Sequence, residues 1–320
     1  MPYRFNLDEK FASAFRRIVR EQVGIASAEL SSPTISAGSI HQTRKAIKRV
    51  RALLRSAAPV LGPKAARKHD RAFRDIARRL SSQRDADVIE ATITSLESHF
   101  GSDAVTSLRP LRIALESRPS DAVLVCDAQA IQGLRDDLKA EGKRLRKLRL
   151  QGHGLATAVA GIGATYDVGR RALKRAIKRP TDNNVHDLRK AVQAHWRHMS
   201  LLSRSWPEEF AARVAAAREL SQLLGDDHDL SLVKTAAQGL TQEADVDGAT
   251  PAAPIIDLCN QRQAALRAEM APRAVRLYAE DRGGFERRIA IYWKMARRIA
   301  ETAQHSDKTD APQIAVDKPN

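Results

Sequence analysis

"SIHQTRKAIKRV" occupies residues 39–50, and "NVHDLRKAVQAH" occupies 184–195. Ser39/Asn184, His41/His186, Arg44/Arg189, Lys45/Lys190, Ala46/Ala191 and Ile47/Val192 all stand 145 residues apart. Further along, "RDIARRLSSQRDADV" (74–88) matches "RELSQLLGDDHDLSL" (218–232) through Arg74/Arg218, Leu80/Leu224 and Asp85/Asp229, at an offset of 144. Two separate matches at almost one offset mark an internal duplication. The chain reads as two copies of one unit, 1–152 and 153–304. The seam falls near Gly152-His153-Gly154. The first copy has a longer connection before its histidine segment, "SSPTISAG", whose Pro, Gly and Ser mark a loop.

The segments around these matches carry helical periodicity, and no convincing strand alternation is present. Helices are expected over 8–30, 40–58, 64–81, 84–98, 103–117, 121–149, 157–180, 185–205, 208–224, 228–240, 252–270 and 282–304. Breaks are expected at Pro33, Gly62-Pro63, Gly101, Pro119, Gly152 to Gly154, Pro180, Pro207, Gly225, Pro251 to Pro254 and Gly283-Gly284. The expected class is all-α.

Residues 41–55 hold one histidine, six Arg or Lys and no acid. On a helical wheel His41, Arg44, Lys45, Lys48 and Arg55 share one face, with Arg49 and Arg51 at its edges. Ile40, Ile47, Val50, Leu53, Leu54 and Ala57 take the other face, which is the one expected to pack. Like charges at i,i+3 and i,i+4 cost a few tenths of a kcal/mol per pair, so the stripe works against the isolated helix. It calls for an anion. Ser39 reads as the N-cap, with Gln42 completing an S-x-x-Q capping box. His41 then falls in the first turn, where free amides favour anions. In the second copy Asn184 reads as the cap. His186, Arg189, Lys190, Gln193 and Arg197 share a face there, weakened where Gln193 replaces Lys48.

Other basic faces follow. Lys64, Arg67, Lys68, Arg71, Arg74 and Arg78 recur along 64–81, "KRLRKLR" (143–149) has five charges, and "RRALKRAIKR" (170–179) has six. The last helix carries Arg287, Arg288, Lys294, Arg297 and Arg298. A single basic face is often only solvated, its stems covering apolar surface. Here several helices lack interleaved acids, and one stripe is duplicated with its histidine.

The 320 residues suffice for a sizeable core, and at 43 % apolar but 4 % aromatic that core must be Ala, Leu, Ile and Val. The net charge of +16 points to a polyanionic partner: nucleic acid, an acidic membrane surface or polyphosphate. Cys126 and Cys259 are far apart and outside any CxxC, which argues against a disulfide framework or a zinc site. The N-terminal "MPYRFNLDEKF" lacks a signal-peptide apolar run, and "LATAVAGIGATY" (155–166) is too short to span a bilayer. The tail over 305–320 is polar and is expected to be disordered. A cytoplasmic location without membrane attachment is the expectation.

Two helices of the xHxxR type, each followed by a segment resembling LxxxRDxDV, resemble the CHAD domain, the conserved-histidine α-helical domain. The resemblance rests on "IHQTRKAIKRVRALLR", "FRDIARRLSSQRDADV", "VHDLRKAVQAHWRHMSLL" and "RELSQLLGDDHDL", and it covers about residues 8–304. It implies two four-helix bundles related by a pseudo-two-fold, a shared basic groove or pore, and binding of inorganic polyphosphate, with polyphosphate granules as an expected location. Members often follow a triphosphate-tunnel domain. Only a short segment precedes the first histidine helix here, so a free-standing copy is expected. His228 stands where the first copy has Arg84, and Ser231 where it has Asp87, which weakens the second copy.

Carried onto this sequence, the polyphosphate-binding set is His41, Arg44, Lys45, Lys48, Arg49, Arg51 and Arg55; Lys68, Arg71, Arg74 and Arg78; Arg171 and Lys174; His186, Arg189, Lys190 and Arg197; and Arg287 and Arg298. Polyphosphate offers charge without base edges or rings. Forked Arg donors, Lys point charges and few aromatics suit it. Nucleic acid is the main rival ligand because phosphate contacts dominate there too, but no nucleic-acid motif or stacking platform is found. A metal phosphohydrolase is weaker still. His69-Asp70 lies in a basic face, and Asp226, Asp227 and Asp229 follow Gly225, where a helix stop and a new cap would place them. No catalytic residue, metal or cofactor is assigned.

Overall fold

The computed structural model describes residues 3–32, 35–80, 84–117, 128–150, 154–243 and 252–309. The breaks expected at Pro33, Pro119 and Pro251, the Gly152-His153 seam, Cys126 and the tail from 310 onward lie outside the described residues. Among those described, regular structure is helical throughout. The helices are α1 (Phe11–Glu29), α2 (Ala37–Leu61), α3 (Pro63–Arg79), α4 (Arg84–Phe100), α5 (Ser102–Glu116), α6 (Ala128–Arg146), α7 (Leu155–Lys178), α8 (Asp182–Leu202), α9 (Pro207–Glu243), α10 (Ala252–Leu277) and α11 (Arg282–Thr309). The all-α expectation is borne out.

Local chemistry sets most of the ends. Gly62 and Gly101 adopt φ of 76° between α2 and α3 and between α4 and α5, a region that costs glycine nothing. Pro63 opens α3 and Pro207 opens α9, where the missing N–H is no loss. The two histidine helices begin earlier than expected. Ser36, not Ser39, caps α2, its Oγ accepting from the Ser39 amide at 3.1 Å. Thr181, not Asn184, caps α8 by accepting from the Asn184 amide at 3.3 Å. His41 and His186 therefore sit in the second turn, past the free amides, so that part of the anion argument does not hold.

The larger correction concerns Gly225. No break occurs there: 208–224 and 228–240 belong to one 37-residue helix, α9. The expected second cap is therefore a mid-helix site. Asp227 is buried and holds the Arg267 guanidinium of α10 at 2.6 Å, while Asp182 at the start of α8 takes the other side of Arg267 at 2.7 Å. Lys234 also binds Asp182, at 2.9 Å. The aspartates of "DDHD" tie α8, α9 and α10 together. Burial raises the Asp227 pKa while Arg267 lowers it.

Helix α2 packs on α1, α3, α7 and α8, and α8 packs on α7 and α9. Ile47, Val50, Leu53, Leu54 and Ala57 are buried from α2, the face the wheel assigned. Each fully buried Leu or Ile contributes about 1.5–3 kcal/mol. Their burial leaves the basic side of α2 facing α8. Gly161 lets α7 approach closely, because a Cβ there would collide with the carbonyls of Arg55 and Ser56. Across the α2–α8 contact, buried His198 meets the Ala52 carbonyl through Nε2 at 2.8 Å. Burial lowers its pKa to about 4, so the ring is neutral at pH 7 and Nε2–H donates. The N-terminal segment spans the same junction. The Phe5 amide donates to the Leu201 carbonyl at 2.8 Å, and Tyr3 donates to the Arg49 carbonyl at 3.0 Å.

Candidate anion-binding cavity

A cavity of about 340 Å³ opens where α2 and α8 face one another, with α4 and α9 closing its end. From α2 come Arg44, Lys48, Arg51, Ala52 and Arg55, spaced i, i+4, i+7, i+8 and i+11. Helix α8 supplies His186, Arg189, Lys190, Gln193, Ala194 and Arg197, and α9 adds His228, Asp229 and Leu232, with Val88 from α4. All five polar residues expected on the α8 face line it. Asp229 is the one acid among these lining residues.

Some of the cations have carboxylate partners. Arg51 makes a forked pair with Asp70 of α3 at 2.9 and 3.0 Å, which aims it across α2. Lys190 holds Asp187 at 2.6 Å, and Arg189 lies 4.0 Å from Asp229. The deeper cations are different. Arg197 is only 5 % exposed. It donates to the Gln193 carbonyl, lies over the Trp196 ring at 4.2 Å, and leaves Nε without a hydrogen-bond partner among the described residues. Burial lowers its pKa to about 10, with Arg49, Arg55 and Arg218 adding repulsion against the opposing pull of Tyr3. Burial also lowers Arg55. These are charges held at an electrostatic cost that an incoming anion would relieve.

At the α9 end, the His186 and His228 rings lie 4.3 Å apart, inclined by 31°. Burial lowers both pKa values, His228 to about 4, and the nearby charges of Arg189 and Lys190 push the same way. His228 and Asp229 fall outside the expected site because a glycine at 225 reads as a helix end in sequence. The 144-residue offset pairs His228 with Arg84, and that was the available signal.

The remaining expected residues lie outside this cavity. His41 is exposed one turn before Arg44, and Lys45 is half-buried beside the stripe. Arg49 turns away, reaching Gln22 Oε1 at 3.2 Å and the Tyr3 ring at 5.4 Å. Lys68, Arg71, Arg74 and Arg78 stand exposed along α3. Arg171, which pairs with Asp167, and Lys174 are exposed on α7, and Arg287 and Arg298 are exposed on α11. No group of three or more His, Cys, Asp or Glu among the described residues is placed to hold a metal ion. No helix among them is long and apolar enough to cross a membrane.

The CHAD domain family matches residues 14–238, a span that includes every residue lining the cavity. The fold is similar to the crystal structure of the CHAD domain from the plant Ricinus communis, with a TM-score of 0.54 over 88 % of this chain and 93 % of that one, at 17 % identity. No curated protein matches the chain. With the family match extending over more than half its length, this chain belongs to the CHAD domain family.

Proposed function

We propose that this chain binds inorganic polyphosphate in the cavity between α2 and α8, as a binding protein rather than an enzyme. The observation that carries the reading is the facing of Arg44, Lys48, Arg51 and Arg55 on α2 by Arg189, Lys190 and Arg197 on α8, with Asp229 alone opposing them in the lining. A phosphate chain supplies regularly spaced oxygens that forked guanidiniums and ammoniums hold as charge-assisted hydrogen bonds. The duplication supports the same reading. Arg44 and Arg189, Lys48 and Gln193, Ala52 and Arg197, and Val88 and Leu232 are equivalent pairs at the repeat offsets, and both members of each pair line the cavity. That pattern is what two pseudo-symmetric copies sharing one groove produce.

Polyphosphate is favoured over nucleic acid because the lining offers no Phe, Tyr or Trp for base stacking. Binding is favoured over hydrolysis because the carboxylates of "DDHD" diverge, Asp227 toward Arg267 and Asp229 toward Arg189. A cytoplasmic location, at polyphosphate granules, follows from the ligand. The experiment is a titration with long-chain polyphosphate at fixed salt, with competition by double-stranded DNA and by RNA. Displacement of either nucleic acid by sub-stoichiometric polyphosphate supports the reading. Tight DNA or RNA binding that polyphosphate does not displace overturns it.

A further inference from the structure

We infer that the closely spaced His186–His228 pair is a phosphate subsite that takes up protons as its ligand binds, making polyphosphate affinity rise as pH falls. The inference rests on the polyphosphate reading and adds to it a residue, His228, and a regulation.

The geometry comes first. The two rings lie 4.3 Å apart on neighbouring helices and both line the cavity. His186 Nδ1 is buried without a hydrogen-bond partner among the described residues, so no internal acceptor holds the ring in one protonation state. The charged groups around the pair are mostly cations. Arg189 and Lys190 of α8 act on both rings, and Arg44, Lys48, Arg51 and Arg55 of α2 line the same cavity with Arg197. The acids acting on it are Asp187 for His186 and Asp182 for His228, with Asp229 in the lining. Two imidazoles this close cannot both charge cheaply in that field, and the free protein keeps them neutral near pH 7.

An entering phosphate chain reverses the local potential. The imidazolium form, disfavoured beside cations, becomes the better partner for a phosphate oxygen, and each ring then donates from two nitrogens. The bound-state pKa exceeds the free-state pKa, so binding draws protons from solution. Affinity gained this way is lost as pH rises above the bound-state value and saturates below the free-state value. The first copy aligns Arg84 with His228, so a permanent cation stands where the second copy carries a titrating one.

The test uses the full chain and long-chain polyphosphate, whose interior phosphates stay ionised, at constant ionic strength from pH 5.5 to 8.0. Affinity should rise about tenfold or more as pH falls across this range, and calorimetry in two buffers of different ionisation enthalpy should show about one proton taken up near pH 6.5. The His186→Gln/His228→Gln double variant should lose the pH response and bind about tenfold or more weakly than the parent at pH 5.5. His228→Arg, mirroring the first copy, should bind tightly with a flattened profile, while His41→Gln should keep the full response. Melting curves check that each variant folds. A parent that binds equally at all pH values, or a double variant that keeps the parent's slope, overturns the inference and leaves the polyphosphate reading standing. No binding at any pH removes both.

Discussion

Gly225 on α9 gives the Arg189 guanidinium of α8 the space it occupies: a Cβ at position 225 would stand 3.3 Å from Nη2. A glycine that looks like a helix stop in sequence is a mid-helix notch in the fold. Gly225→Ala separates its two consequences. Alanine favours a helix interior by about 1 kcal/mol, so the melting temperature should hold or rise. Arg189 must shift, so polyphosphate affinity should fall about threefold, the size of a partly lost charged contact. A variant that melts several degrees lower would show that position 225 is needed for packing instead.

Reversing the α2 stripe tests the cavity directly. Arg44→Glu with Lys48→Glu should weaken polyphosphate binding at least about a hundredfold, since two charge-assisted contacts become repulsive. The opposite face, Ile47, Val50 and Leu54, is untouched and buried, so circular dichroism should show full helix content. His41→Ala should change affinity less than about threefold, because His41 lies outside the cavity. Wild-type affinity in the double reversal would place the ligand elsewhere.

Binding should depend strongly on salt and chain length. Exposed charges are screened over roughly 8–10 Å at physiological ionic strength. Affinity for long polyphosphate should drop at least about tenfold between 50 and 200 mM salt, as multiple phosphate contacts require. Pyrophosphate, which reaches only one or two subsites, should bind at least about a hundredfold more weakly. Equal affinities for the two ligands would count against a continuous groove.

Acid should unfold the protein through buried imidazoles. Burial lowers His195 to about 3 and His198 to about 4, below the ordinary 6.5. The unfolded chain therefore binds more protons in this range, and stability is lost as pH falls from about 6.5 toward 4. For His198 alone the loss approaches about 3 kcal/mol by pH 4, at 1.36 kcal/mol per pKa unit. Urea midpoints between pH 7.5 and 4.5 measure it. His198→Gln, which keeps a donor for the Ala52 carbonyl, should flatten part of the decline. An unchanged slope would assign the acid sensitivity to other groups.

Much of this was legible in the residues. The amphipathic pattern of α8 placed His186, Arg189, Lys190, Gln193 and Arg197 on one face, and all five line the cavity. On α2 the wheel put Arg49 and Arg51 at symmetric edges. Their fates diverge because Asp70 on α3 draws Arg51 to one side and Tyr3, 46 residues away, holds Arg49 on the other. No local pattern encodes that choice. The caps were displaced by three residues because Ser36 and Ser39, like Thr181 and Asn184, are both competent oxygen-bearing side chains. Only the geometry of the preceding loop selects between them. Gly225 escaped for a related reason: glycine marks both helix ends and close approaches, and the partner that distinguishes them, Arg189, lies on another helix.

Helices α4 and α5 precede residue 152, yet they pack against α9 and α10, which follow it. Ile89, Ile93 and Leu96 of α4 and Leu108 and Leu111 of α5 are buried. A fragment ending at the seam would leave much of that apolar surface wet, at roughly 25 cal/mol for each Å² exposed. Neither half is then a self-sufficient folding unit, despite each carrying a full set of repeat motifs. The chain should melt in a single cooperative transition, and the two halves, made separately, should be soluble only when they are produced together.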